Sequence, residues 1–394
     1  MIRVVHSSKH NEQTRYGQAF SLQKAKAVRS LHQSIECYAA TPLVALNSLA
    51  QRLGVAGLFV KDESFRFGLN AFKALGSSYC LASLLAARLG LGEKYRFGDL
   101  VTPEARKALG EMTVITATDG NHGRGVAWTA KQLGCRSVVL MPKGSAAERL
   151  ENIRLLGADA KITDLVYDDT VQLAARLARE NGWILLQDTA WDGYEDIPLR
   201  IMQGYLTMAL EAAEALNEPP THVFLQAGVG SMAAALAAFF KQYYADKAPR
   251  IVIVEPDGAN CFYETALAGD GAIHPYQGEL KSIMAGLCCG VPSSIAWDIL
   301  RACGDDFVSM PDSVAADGMR ILGAPLPGDT RILSGESGAS CFGLVADVLR
   351  KPELVEVKNR LGLGASSRIL CISTEGPTDR ENYRRVVWDG AYAG

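Results

Sequence analysis

A chain of 394 residues, 48% of them hydrophobic, is long enough for two domains, each with its own core. Its 40 basic and 43 acidic residues leave a formal charge of −3, which argues against a nucleic-acid tract or a polybasic membrane surface and for a small-molecule partner. The opening MIRVVHSSKHNEQTRYG lacks the apolar core of a signal peptide, and no run approaches the roughly 18 apolar residues that cross a bilayer, so a cytoplasmic location is expected.

Ser21 to Ser34 has helical spacing, and Thr41-Pro42-Leu43 predicts a second helix running to Leu53, with Thr41 as N-cap and Pro42 at the first helical position. Gly57 to Val60 is a short apolar strand. The loop GLNAFKALG, Gly68 to Gly76, then turns into a helix over Ala74 to Gly90. Lys73 falls in the first turn of that helix, where the partial positive charge of a helix start disfavours a cation. It reads either as a surface lysine lying along Phe72 or as an amine held neutral for Schiff-base chemistry.

Gly92 to Gly110 is charged and aperiodic, as an insertion would be. Regular α/β alternation follows: strands at Val114 to Thr118, Ser137 to Met141, Ala158 to Ile162 and Trp183 to Leu186, with helices at Asn121 to Leu133, Ala146 to Leu156 and Tyr167 to Glu180. A helix over Pro198 to Leu216 leads into a second series: strand His222 to Leu225, helix Ser231 to Tyr243 and strand Ile251 to Val254. Weaker helices follow at Ser294 to Cys303, Asp312 to Leu322 and Ser340 to Leu349, then a last strand at Arg368 to Ser373. Nine cysteines lie scattered without zinc-ligand spacing; most read as buried small hydrophobes, with a pairing of Cys261 and Cys288 or Cys289 left open.

Four segments carry chemistry. After the strand at His222, AGVGSMAA opens a helix on glycines, a geometry that offers backbone N–H groups to a phosphate. The same turn matches a dinucleotide fingerprint, with Glu255 placed as a ribose-binding acid, and it also fits a plain tight connection. Thr118 to Gly125, TDGNHGRG, delivers Asp119, Asn121 and His122 at a strand end between glycines. Leu186-Gln187-Asp188 ends an apolar strand on an acid, either ligand-facing or a helix cap. Ser373-Thr374-Glu375-Gly376 places hydroxyls at the end of the last strand.

Together Thr41-Pro42-Leu43, Ala71-Phe72-Lys73, Gly120-Asn121-His122-Gly123 and the turn Gly228 to Met232 resemble the fold-type II pyridoxal-phosphate enzymes, the group of tryptophan synthase β and threonine dehydratase, over nearly the whole chain. The segments NAFKALG, TDGNHGRGVAW, DTAWDGYE, IMQGY and STEGPTD are most similar to the ammonia-lyase branch that acts on 2,3-diaminopropionate. Where the dehydratases usually carry hydroxyls, this chain reads Leu69, Ala71 and Asp119.

The resemblance implies two open twisted α/β domains with pyridoxal phosphate in the cleft between them. The large domain would span 1–75 and 190–394, the small one 76–189. It implies that Lys73 holds the cofactor as a Schiff base, that Asn121 contacts the ring hydroxyl, and that Gly228, Val229, Gly230, Ser231 and Met232 bind the phosphate. Ser373 or Thr374 would face the pyridine nitrogen. Thr118, Asp119, Gly120, Tyr167 and Asp188 would face the substrate, with Asp188 holding the β-ammonium. Lys73 would be the base for the L-isomer and Asp119 for the D-isomer, giving pyruvate and two ammonia. A homodimer is expected by the same resemblance. The alternatives are a serine or threonine dehydratase of this fold, and, from the turn at Gly228 to Ala233 alone, a nicotinamide-dependent oxidoreductase.

Overall fold

Runs of branched apolar residues bounded by glycine, proline or charge become strands, and these sort into two sheets. The computed structural model describes residues 1–7, 14–92, 94–118 and 120–393. The strands are β1 Arg3–His6, β2 Leu43–Ala45, β3 Gly57–Asp62, β4 Thr113–Ala117, β5 Arg136–Met141, β6 Asp159–Ile162, β7 Ile184–Leu185, β8 His222–Gln226, β9 Arg250–Pro256, β10 Asp306–Met310 and β11 Arg368–Ser373. The protein is of the α/β class, in two compact units.

The first unit gathers Met1–Leu22, Ala40–Phe65 and Met208–Gly394. Its seven-stranded sheet runs β1-β10-β9-β8-β11-β3-β2. The inner pairs are parallel, whereas β1 on β10 and β2 on β3 are antiparallel. β8 and β10 are buried at every residue, as strands covered on both faces must be.

The second unit gathers Gln23–Ala39 and Arg66–Thr207. Its sheet runs β6-β5-β4-β7, all parallel. Alternation along β5 sends Leu140 to a core with Ile115, Val171 and Ala174, and Val139 and Met141 to one with Ala127 and Ile153. Buried His32 ties the helix Leu22–Gln33 to this unit: its Nδ1 lies 2.6 Å from Thr207 Oγ1 and its Nε2 3.1 Å from both Leu75 O and Ser78 Oγ. Residues 23–39, 66–75 and 190–207 therefore pack with the unit that carries Lys73, outside the 76–189 span expected for the small domain.

The helices Asn121–Leu133 and Ser294–Cys303 and strand β11 fall at their predicted bounds. The helix expected from Thr41 does not form. Leu43–Ala45 is instead an edge strand on β3, and Thr41 Oγ1 donates to Glu63 at 2.5 Å rather than capping a helix. The helix there spans Asn47–Leu53, and the Asp329 carboxylate accepts its Ser48 and Leu49 amides, both at 2.9 Å. The span Pro198 to Leu216 divides into Asp196–Gly204 and Leu206–Ala215, with Tyr205 at the break. Gly204 presses on the helix Ala74–Arg88, where a Cβ would meet Leu75 O at 2.3 Å. The aperiodic stretch holds a helix, Pro103–Leu109, capped by Thr102 Oγ1. All nine cysteines are free thiols, and only four of them, Cys80, Cys261, Cys341 and Cys371, are buried.

Candidate active site

Lys73 immediately precedes the helix Ala74–Arg88, and its carbonyl accepts from the Gly76 and Ser77 amides at 3.1 and 3.4 Å. Close packing holds this segment in place: at Gly125, on the helix Asn121–Leu133, a Cβ would meet Ala74 N at 2.9 Å and Lys73 C at 3.0 Å. The Lys73 side chain is 19% exposed, and its Nζ donates to Asp188 Oδ2 at 2.6 Å. That carboxylate favours the ammonium form, so the cation is not destabilised in the way the helix start alone would suggest.

Asp188 follows β7 and is buried. Two partners set its place. Tyr194 Oη donates to Leu185 O at 2.7 Å and accepts from the Gln187 amide at 3.0 Å. Gln187 Oε1 accepts from Ala117 N at 3.0 Å and Thr116 Oγ1 at 3.1 Å, while its Nε2 donates to Tyr167 Oη at 3.2 Å. The strand end is thus fastened to β4 and to the helix Tyr167–Asn181. Burial alone would raise the Asp188 carboxyl, but the charges of His122 and Lys73, with the lysine hydrogen bond, bring it to about 2.

The loop after β4 brings three of the predicted residues into the same unit. Thr118 Oγ1 accepts from the Gly120 and Gly123 amides at 3.0 and 3.1 Å, so it shapes the turn. Gly120 has φ +154°, a backbone region that favours glycine, and a Cβ there would meet Arg149. Asn121 begins the helix and is half-buried. Asp119 lies outside the described residues. His122, to which no role was assigned, is buried; its Nε2 is 2.7 Å from Leu186 O and its Nδ1 3.6 Å from Asp188 Oδ2. Its place within Gly-Asn-His-Gly was the available signal. For Gln187 the signal was its place in Leu186-Gln187-Asp188, and for Tyr194 its place in DTAWDGYE.

The first unit carries the other predicted residues. Gly228, Val229 and Gly230 lead from β8 into the helix Ser231–Tyr244. Gly230 has φ +89°, and a Cβ would meet Phe262 Cζ at 2.3 Å. Ser231 and Met232 are buried at the helix start, whose first amides have no acceptor within the helix. Ser373 Oγ donates to Ser334 Oγ at 2.8 Å, whereas Thr374 Oγ1 accepts from Gln226 Nε2 at 3.1 Å and keeps its own proton to donate. Glu255 is not a ribose-binding acid. It is buried, and its two oxygens accept from the Phe262 and Tyr263 amides at 2.9 and 2.7 Å, capping the helix Cys261–Ala268. Burial nonetheless pushes its carboxyl up to about 8.

The second unit thus holds a lysine amine paired with a buried acid, and the first a glycine turn at a helix start and a hydroxyl at a strand end. The chain belongs to the pyridoxal-phosphate dependent enzymes, whose family model matches residues 36–363. It is 50% identical over 372 residues to diaminopropionate ammonia-lyase of Salmonella typhimurium, a match covering 93% of this chain and 92% of the relative. The crystal structure of diaminopropionate ammonia lyase from Escherichia coli in complex with D-serine superposes with a TM-score of 0.94 at 46% identity, covering 100% of this chain and 98% of that one. The biosynthetic L-threonine dehydratase of Haemophilus influenzae is more distant, 28% identical over 56% of this chain and 37% of its own length.

The residues present fit pyridoxal phosphate. The second unit offers a half-buried lysine amine, Lys73, and the first offers helix-start amides after Gly230 and the Thr374 hydroxyl, the types of group that such a cofactor needs.

Proposed function

We propose that the protein is a carbon–nitrogen lyase that removes ammonia from 2,3-diaminopropionate and yields pyruvate and a second ammonia. The observation that carries this reading is the 2.6 Å pair of Lys73 and Asp188 in a chain half-identical, nearly end to end, to relatives of that activity. Bound pyridoxal phosphate supplies an aldehyde that takes up amines and a ring that draws electrons from the substrate Cα. Lys73 holds the cofactor through its amine and, when released, takes the Cα proton of the L-isomer. Asp119 takes that of the D-isomer. Asp188 holds the β-ammonium, which leaves more readily as ammonia than as an amide ion.

Asn121 bonds the ring hydroxyl, and the amides of Gly228 to Met232 hold the phosphate. Thr374 rather than Ser373 faces the pyridine nitrogen, because the Ser373 proton is already on Ser334. A neutral hydroxyl there leaves the ring a moderate electron sink, suited to elimination. Thr118 shapes the turn that leads into Asn121, and Tyr167 braces Gln187.

A cytoplasmic homodimer acting on a free amino acid belongs to the same proposal. The location and the dimer rest on the resemblance; among the described residues no helix is long and apolar enough to cross a membrane. Light scattering tests the dimer. Assay of both enantiomers of diaminopropionate should give two ammonia for each pyruvate. A higher kcat/KM on serine or threonine would replace this reading with the dehydratase one, and a protein without a ~410–420 nm band that borohydride removes would lose the cofactor assignment.

A further inference from the structure

Lys73 Nζ and His122 Nδ1 converge on the same carboxylate oxygen, Asp188 Oδ2, at 2.6 and 3.6 Å. The other imidazole nitrogen, Nε2, lies 2.7 Å from Leu186 O; a carbonyl only accepts, so Nε2 carries a proton. The proton that varies is therefore the one on Nδ1. Without it, the ring is neutral beside a carboxylate; with it, the ring is a cation beside an anion. Both side chains are nearly sealed from water, 4% and 6% exposed, so their charges are weakly screened.

A lysine amine bonds to an aldehyde, or takes a proton from carbon, only as the free base. When Lys73 is neutral it no longer offsets Asp188, and a buried carboxylate without a cation is costly. We infer that His122, as an imidazolium, is the standing counter-ion of Asp188: a positioning residue that lets the Lys73 amine become neutral while the buried carboxylate keeps a cationic partner. The His122 proton stays on Nδ1 throughout, and no bond to the ring is made or broken. The inference rests on the reading of Lys73 as the cofactor-bearing lysine.

Among the described residues, the phenols and the guanidinium nearby do not take this part. The Tyr194 and Tyr205 phenols sense the Asp188 charge, and burial holds both neutral. Tyr167 is bonded to Gln187, and Arg124, on the same helix as His122, directs its guanidinium to Leu69 O at 2.9 Å.

The chain has six histidines, so labelling the full-length protein with 13Cε1-histidine gives a readable NMR titration. The resonance of residue 122 is assigned by its loss in His122→Gln, or in His122→Asn if the glutamine variant does not fold. The imidazole is expected to titrate about one pH unit or more above the ordinary histidine value, and Asp188→Asn to move it down by a similar amount. In His122→Gln, the rate at which pyridoxal phosphate recombines with full-length protein stripped of it should keep its plateau, while its pH midpoint rises by about one unit, because Lys73 then faces Asp188 without the nearby imidazolium charge. A wild-type imidazole still neutral at about pH 6, or an unmoved recombination midpoint, would overturn the inference. A recombined protein in which borohydride places no label on residue 73 would instead defeat the cofactor-lysine reading, and the histidine titration reports regardless of it.

Discussion

Gly125 lies against the backbone of Lys73, so close that a Cβ would sit 2.9 Å from Ala74 N and 3.0 Å from Lys73 C. The helix Asn121–Leu133 thus approaches the lysine segment as nearly as backbone can, which explains a glycine inside an otherwise regular helix. Gly125→Ala is expected to displace the lysine segment and cost about 1–3 kcal/mol of stability, because backbone cannot give way as a flexible side chain can. Thermal unfolding and cofactor content measured together check this, and an unchanged pair of values would show that the helix can move.

Lys73→Ala is expected to abolish turnover, by about a thousandfold or more, since it removes both the cofactor-bearing amine and the proposed base. The fold should persist, because His122 remains at 3.6 Å to offset Asp188. Pyruvate release by the variant at a rate near that of the parent, without added amine, would defeat the role.

The Asp188 carboxyl is held below its ordinary 3.8, at about 2, in the folded chain. A folded value below the unfolded one means that its contribution, roughly 2 kcal/mol, is present above about pH 4 and lost as pH falls toward 2. Asp188→Asn should therefore show a shallower fall in Tm than the parent between pH 4 and 2, and a raised KM for diaminopropionate at neutral pH. Parallel melting curves would remove the electrostatic argument, and an unchanged KM the substrate role.

Gly230→Ala should damage fold and cofactor binding together. The position has φ +89°, and its Cβ would enter Phe262 at 2.3 Å, so the substitution strains the turn and pushes on the core of the first unit. A loss of about 1–3 kcal/mol is expected, read from denaturant unfolding of the stripped chain beside the cofactor dissociation constant. Weakened cofactor binding at full stability would mean that the turn yields toward the phosphate instead.

Asp119→Asn separates two roles. A lost helix cap costs roughly 1 kcal/mol and affects both enantiomers alike, whereas a lost base removes D-isomer turnover and spares most of that on the L-isomer. Assay of each enantiomer with the Tm recorded alongside decides, and equal losses would end the two-base mechanism.

The sequence by itself determined the α/β alternation, the bounds of the helix Asn121–Leu133 and of β11, and the segments around Lys73, Asn121 and Gly228, because apolar period and glycine placement are local signals. Tertiary structure alone decided what those signals could not carry. Thr41-Pro42-Leu43 has the composition of a helix start, yet pairing with β3 and the bond to Glu63 made it a strand, and the true helix takes its cap from Asp329, about 280 residues away in the chain. Glu255 sits at the end of its strand as a ribose-binding acid would, but the amides of Phe262 and Tyr263 occupy it. Asp188 could be a cap or a ligand group until Lys73, 115 residues earlier, was found against it, and His122 acquires a part only because folding brings its ring to the same oxygen. Such partnerships depend on distances between residues remote in the chain, which no local pattern of residue types records.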